Sequence, residues 1–119
     1  MSEAASRLRE SVLERAVRGP GTSARAARRA AFDNHGVDER ARRLIEKVAR
    51  EAWKVTDEDV AAVKAAGVSE DEIFELVVCA ALGQATRQLS AALTALDAVP
   101  EPGAALLSGA PEQDARGTR

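Results

Sequence analysis

At 119 residues the chain fits one small domain, and its 45% hydrophobic content is largely Ala, with two Phe, one Trp and no Tyr. So few aromatics offer little for stacking nucleic-acid bases, and a single cysteine, Cys79, excludes an intramolecular disulfide or a cysteine-only zinc cluster. The net charge of −2 hides an uneven distribution: residues 1–50 carry twelve Arg/Lys against seven Asp/Glu, and residues 51–119 carry five against twelve. Such asymmetry marks a nucleic-acid surface, or halves that pack against each other or against a copy. No stretch alternates apolar and polar residues over strand lengths, so the chain reads as all-α.

The first helix is predicted from Ser2 to about Val17, with Leu8, Val12, Leu13, Ala16 and Val17 in one stripe opposite Arg7, Glu14 and Arg15. Arg18-Gly19-Pro20-Gly21 breaks it. A short Ala- and Arg-rich helix follows, from Thr22 or Ser23 through Phe32, with Ala24, Ala27, Ala31 and Phe32 facing inward. Asp33-Asn34-His35-Gly36 is turn chemistry. Asp38 then caps a third helix to about Trp53, whose buried side is Ala41, Leu44, Ile45, Val48 and Ala52.

Thr56-Asp57-Glu58-Asp59 and Ser69-Glu70-Asp71-Glu72 each set a hydroxyl three residues ahead of a carboxylate, the spacing of a capping box. The fourth helix follows Thr56, turns Val60, Val63 and Ala66 inward, and stops at Gly67, which suits a left-handed helix end. The fifth begins at Ser69 and runs to about Ala98, roughly 45 Å at ~1.5 Å per residue. Its first half, Ile73 through Leu82, is apolar nearly all round, and its second half narrows to Leu89, Ala92, Leu93 and Leu96. A helix of that kind needs neighbours on many sides, and Gly83 implies a close backbone approach. A homo-oligomer with residues 73–96 in the interface accounts for both. From Val99 the Pro- and Gly-rich sequence predicts a disordered tail.

The N-terminus shows no charged segment ahead of an apolar core. The longest apolar run, Ile73 to Leu82, is interrupted by Glu75. The expectation is a soluble cytoplasmic protein with no membrane segment.

From about Ala49 to Leu96 the chain resembles the carboxymuconolactone decarboxylase and alkylhydroperoxidase D-like superfamily. The stretch that carries the resemblance is Val60-Ala61-Ala62-Val63-Lys64-Ala65-Ala66-Gly67-Val68-Ser69-Glu70-Asp71-Glu72-Ile73-Phe74-Glu75-Leu76, continued by Ala80-Ala81-Leu82-Gly83-Gln84-Ala85-Thr86-Arg87-Gln88-Leu89. The resemblance implies a small orthogonal helical bundle of about five helices, with the long C-terminal helix in an oligomer interface. It divides the chain into an N-terminal helical extension (1–36), a core (37–98) and a disordered tail (99–119). Catalytic members carry Cys-x-x-Cys and, four residues on, His, on the helix before the Gly turn. Here those positions fall near Ala52, Val55 and Asp59. Without a thiol pair neither attack nor resolution of a mixed disulfide can occur, so peroxidase activity is not expected. No cofactor or metal is implied.

The remaining candidates divide between chemistry and structure. Cys79 lies in an apolar run with no His or Lys at i±3 or i±4, which suits a core residue; a peroxidatic role requires a cation from another helix. His35, the one imidazole, sits in a turn, with Asp33 and Asp38 too near in sequence to converge on a metal easily. Ala52, Trp53, Val55, Glu58 and Asp59 form the candidate pocket that the resemblance implies. Asp59 also completes a cap, and Trp53 is read as core packing ahead of ligand stacking or an interface anchor. The groups Arg25/Arg28/Arg29 and Arg40/Arg42/Arg43 read as solvated faces, with an acidic partner as the other use. The chain is therefore expected to be a homo-oligomeric accessory or binding module without redox thiols. One alternative is an enzyme using Glu51, Glu58 or Asp59 on a small lactone or acid; another is a regulator that binds nucleic acid through residues 25–43.

Overall fold

Ser2 starts the first helix by accepting the Ala5 N–H at 3.1 Å, and the computed structural model describes residues 2–100 from this cap onward. Five α-helices follow: α1 (Glu3–Arg18), α2 (Arg25–Asp33), α3 (Glu39–Glu51), α4 (Asp57–Ala65) and α5 (Glu70–Ala98). A single 3₁₀ turn, Ala52–Lys54, joins α3 to α4. No strand occurs among the described residues, so the fold is a small all-α bundle.

The sequence signals for helix ends act as anticipated at four of the five starts. Asp38 accepts the Arg40 N–H at 2.8 Å. Thr56 and Asp59 exchange bonds across the first turn of α4, and Ser69 and Glu72 do the same for α5 at 3.2 and 3.0 Å. Gly67 has φ of +101°, so a β-carbon there is strained, and α4 ends beside it. Asn34 (φ +53°) and Gly36 (φ +73°) turn the chain after α2. The exception is α2. It begins at Arg25 rather than at Thr22 or Ser23, because those two residues direct their backbone N–H groups to the Glu75 carboxylate on α5.

Two compact units divide the chain at Arg87/Gln88. The first, Met1–Arg87, holds the core: Val17 of α1, Ala31 of α2, Leu44, Ile45 and Val48 of α3, Val63 of α4, and Ile73, Leu76, Cys79 and Ala80 of α5. Fully burying an aliphatic side chain such as Ile45 contributes about 1.5–3 kcal/mol, so α3 and α5, with five buried positions each, organise this unit. In the second unit the described residues are the helical stretch 88–98 with Val99 and Pro100, all exposed except the half-buried Leu89 and Leu93. Of the tail expected from Val99, residues 101–119 lie outside the described residues.

Several inward-facing assignments are corrected. On α1 only Val17 is buried; Leu8 and Val12 are exposed, because the partners of the apolar stripe reach no farther than its C-terminal turn. Ala24 is exposed at the N-cap of α2, and Ala66 is exposed where α4 gives way to the Gly67 turn. Ala52 is exposed as well, since the tightening to 3₁₀ geometry after Glu51 carries it off the buried face of α3. The close approach at Gly83 is real but intramolecular: its neighbour is the backbone of Phe32 at the end of α2.

α5 is 29 residues long and contains an 18-residue stretch that is apolar enough, by length and composition alone, to cross a bilayer. Ile73, Leu76, Cys79 and Ala80 are nevertheless packed against the other helices of the first unit, and Glu75 is hydrogen-bonded to the α1–α2 loop. Those contacts make this part of α5 the central helix of a bundle.

Candidate functional site

Ala52, Trp53, Val55, Glu58 and Asp59 line none of the grooves described below. Trp53 is 77% exposed, which corrects its assignment to core packing: the 3₁₀ turn that displaces Ala52 displaces its neighbour too. Ala52 and Glu58 are exposed, while Val55 packs against the edge of the core. Trp53→Ala is therefore expected to change unfolding free energy by less than about 0.5 kcal/mol, as read from urea denaturation.

Of the two carboxylates among these five residues, Asp59 is the more constrained. It accepts Lys47 Nζ at 2.7 Å, the Thr56 N–H at 2.9 Å and the Thr56 hydroxyl at 3.1 Å. The Lys47 bond, followed by the Thr56 backbone N–H, lowers its pKa to about 2. A group so acidic stays ionised at neutral pH, a poor match for a general acid or base there. Its observed work is to close the capping box and tie α4 to α3.

A different cluster joins three helices. Arg28, 3% exposed, donates from Nη1 to the Ala16 carbonyl at 3.1 Å and from Nη2 to the Ser23 carbonyl at 3.5 Å. Its Nε is buried with no hydrogen-bond partner. The Cys79 thiol donates to the same Ala16 carbonyl at 3.4 Å. Glu75, one turn before Cys79, accepts the backbone N–H groups of Thr22 and Ser23, both at 2.8 Å, and the Ser23 hydroxyl. The α1–α2 loop is thus fastened to α5 by one carboxylate, with a buried guanidinium beneath it.

The electrostatics follow from these contacts. The Ser23 hydroxyl and then the Thr22 and Ser23 N–H groups hold Glu75 below its ordinary value. Burial pushes the Cys79 thiol up, and the opposing pull of the Arg28 charge does not reverse it. A cation from another helix is therefore present, yet Cys79 is 1% exposed and stays a thiol at neutral pH. The cluster is built to hold structure.

Sequence reasoning missed Arg28 and assigned it to a solvated face. A signal existed: Ala24 and Ala31, at i−4 and i+3, put small residues on its own face and leave room for a long side chain. Its neighbours behave as expected. Arg29 pairs with Asp33 at 3.1 Å, Arg40 with Asp38 at 3.0 Å and Arg42 with Glu39 at 2.8 Å, all on the surface.

Grooves on the described residues lie elsewhere than the candidate pocket. One of about 280 Å³ runs between α1 and α2 over Leu13, Val17 and Phe32, flanked by Glu10, Glu14, Arg18 and Arg29. Another, about 170 Å³, opens beside Pro20, Phe74 and Glu75. His35 lines a small one with Arg42, Glu46 and Arg50. No group of three or more His, Cys, Asp or Glu converges at metal-binding range among the described residues. A scan against protein-family models finds no match for this chain, and no curated protein or solved structure matches it.

Proposed function

We propose that the chain is a carboxymuconolactone decarboxylase-like protein without redox thiols, acting as a homo-oligomeric accessory or binding module. The observation that carries this reading is the joining of a motif-like frame to substituted reactive positions. The frame is the capped α4, the Gly67 turn and the capped α5. Where the resembled family carries Cys, Cys and His, this chain has Ala52, Val55 and Asp59. The one cysteine, Cys79, is buried. A second reading, acid/base catalysis by the nearby carboxylates, is disfavoured by the committed state of Asp59. A nucleic-acid surface over residues 25–43 is disfavoured by the burial of Arg28 and by the acidic neighbours of Arg29, Arg40 and Arg42.

The test is dithiol-dependent peroxide consumption by the purified chain and by Cys79→Ser. Equal rates at the no-protein background support a module without thiol chemistry. Turnover that disappears in Cys79→Ser overturns it.

A further inference from the structure

We propose that the cleft between α1 and α2 binds a small organic acid, its anionic head held by Arg18, Arg25 and Arg29 and its apolar body laid over Val17, Leu13 and Phe32. The inference rests on the binding-module reading above and gives that module a site and a ligand class. Arg18, Arg25 and Arg29 line one cleft of about 490 Å³ together with Val17 and Ala26. Val17, Arg18 and Arg29 also border the groove of about 280 Å³ over Leu13 and Phe32, so the two adjoin. A concave apolar surface with a few converging charged groups is the usual form of a small-molecule site.

Charge sets the head group and its place. Toward the α1–α2 loop the lining is Arg18, Arg25 and Arg29; toward the middle of α1 it is Leu13 and Phe32, flanked by Glu10 and Glu14. A ligand with one anionic end and an apolar body fits that order, whereas an extended polyanion meets the two glutamates. Two of the guanidiniums are already oriented. Arg29 donates to Asp33 at 3.1 Å and lies 5.4 Å from the Phe32 ring centroid, and Arg18 sits 3.5 Å from Glu14. Both ion pairs are on the surface, where such pairs are weak, so an incoming acid can share these guanidiniums. Arg25 is exposed and forms no ion pair among the described residues, which leaves its charge for a ligand. The planar fork of a guanidinium matches a carboxylate through two parallel hydrogen bonds.

Isothermal titration calorimetry of the full chain with octanoate, octan-1-ol and inorganic phosphate tests this. Octanoate should bind, and octan-1-ol and phosphate should each bind at least about tenfold more weakly, because each lacks one half of the match. Arg25→Glu should weaken octanoate at least about tenfold with the urea midpoint unchanged. Arg25→Gln, neutral at the same place, should fall between that variant and wild type, and it decides the matter if the charge reversal disturbs folding. Octanoate that does not bind, or that binds both Arg25 variants as tightly as wild type, overturns the site. Phosphate or octan-1-ol binding as tightly as octanoate overturns the ligand class. None of these results touches the absence of thiol chemistry, which the peroxide assay reads separately: turnover lost in Cys79→Ser, in a chain that still binds octanoate, overturns the module reading and leaves the site in place.

Discussion

Gly83→Ala is expected to destabilise the bundle by about 2–3 kcal/mol, although the same change in an isolated helix is favourable by ~1 kcal/mol. The reversal comes from packing. A β-carbon on Gly83 overlaps the Phe32 carbonyl oxygen and lies 2.7 Å from its carbonyl carbon. The obstacle is backbone near the end of α2, so no side-chain rotation relieves it. Arg87 donates to that same oxygen at 2.8 Å, so displacing α2 disturbs this bond as well. Urea denaturation should show a lower midpoint with the slope retained. A midpoint equal to or above wild type contradicts the close approach.

Glu75→Gln is expected to cost about 1–3 kcal/mol at neutral pH, the range for hydrogen bonds to a charged group, reduced because the carboxylate is half-exposed and screened. The amide keeps one acceptor oxygen where the carboxylate offered two, so the Thr22 and Ser23 N–H groups can no longer both be served as they are now. Arg28 also loses the negative charge nearby, and an enclosed cation without compensation is unfavourable. The sign of the pH dependence is fixed by the direction of the shift. Glu75 is held below its ordinary 4.5 in the fold. Its contribution is therefore complete above the unfolded value and is lost as pH falls through the folded one. Wild type should lose more stability than Glu75→Gln between pH 6 and pH 3. The variant retains the acid dependence that comes from Asp38 and Asp59, both also lowered. Parallel curves for the two proteins would show that Glu75 does not fasten the loop.

Local features of the fold were legible because local chemistry decides them. Thr56 with Asp59, Ser69 with Glu72, Asp38 and Gly67 set their helix ends through atoms at most three residues apart, so spacing alone located them. The buried side of α3 was legible from its helical spacing as far as Val48, though Ala49, also buried, was not among the expected positions. It failed at Ala52 and Trp53, where a change from α to 3₁₀ geometry rotates the register and no residue in the sequence announces it.

The cluster beneath the α1–α2 loop was hidden by distance along the chain. Glu75 interrupts an apolar run, which marked it as unusual, but its partners are 52 and 53 residues away. Arg28 was masked by its company: a helix with Arg25, Arg28 and Arg29 looks like a charged face, and only the small residues around Arg28 separate it from the others. Gly83 falls between these cases. Its lack of a side chain foretold a close neighbour, while the identity of that neighbour, α2 of the same chain, is a property of the assembled fold. The candidate pocket was inferred from a resemblance, and its five positions are spread over a 3₁₀ turn, the residue after it and the start of α4.

At the centre of this account stands the burial of Cys79, whose thiol donates to the same Ala16 carbonyl as Arg28; that burial makes the one cysteine a packing residue. The most direct check is the rate at which the native protein reacts with an aromatic disulfide reagent at neutral pH. The expected result is negligible reaction of the folded chain and one equivalent of thiol released on denaturation. Rapid stoichiometric reaction of the native protein would contradict it.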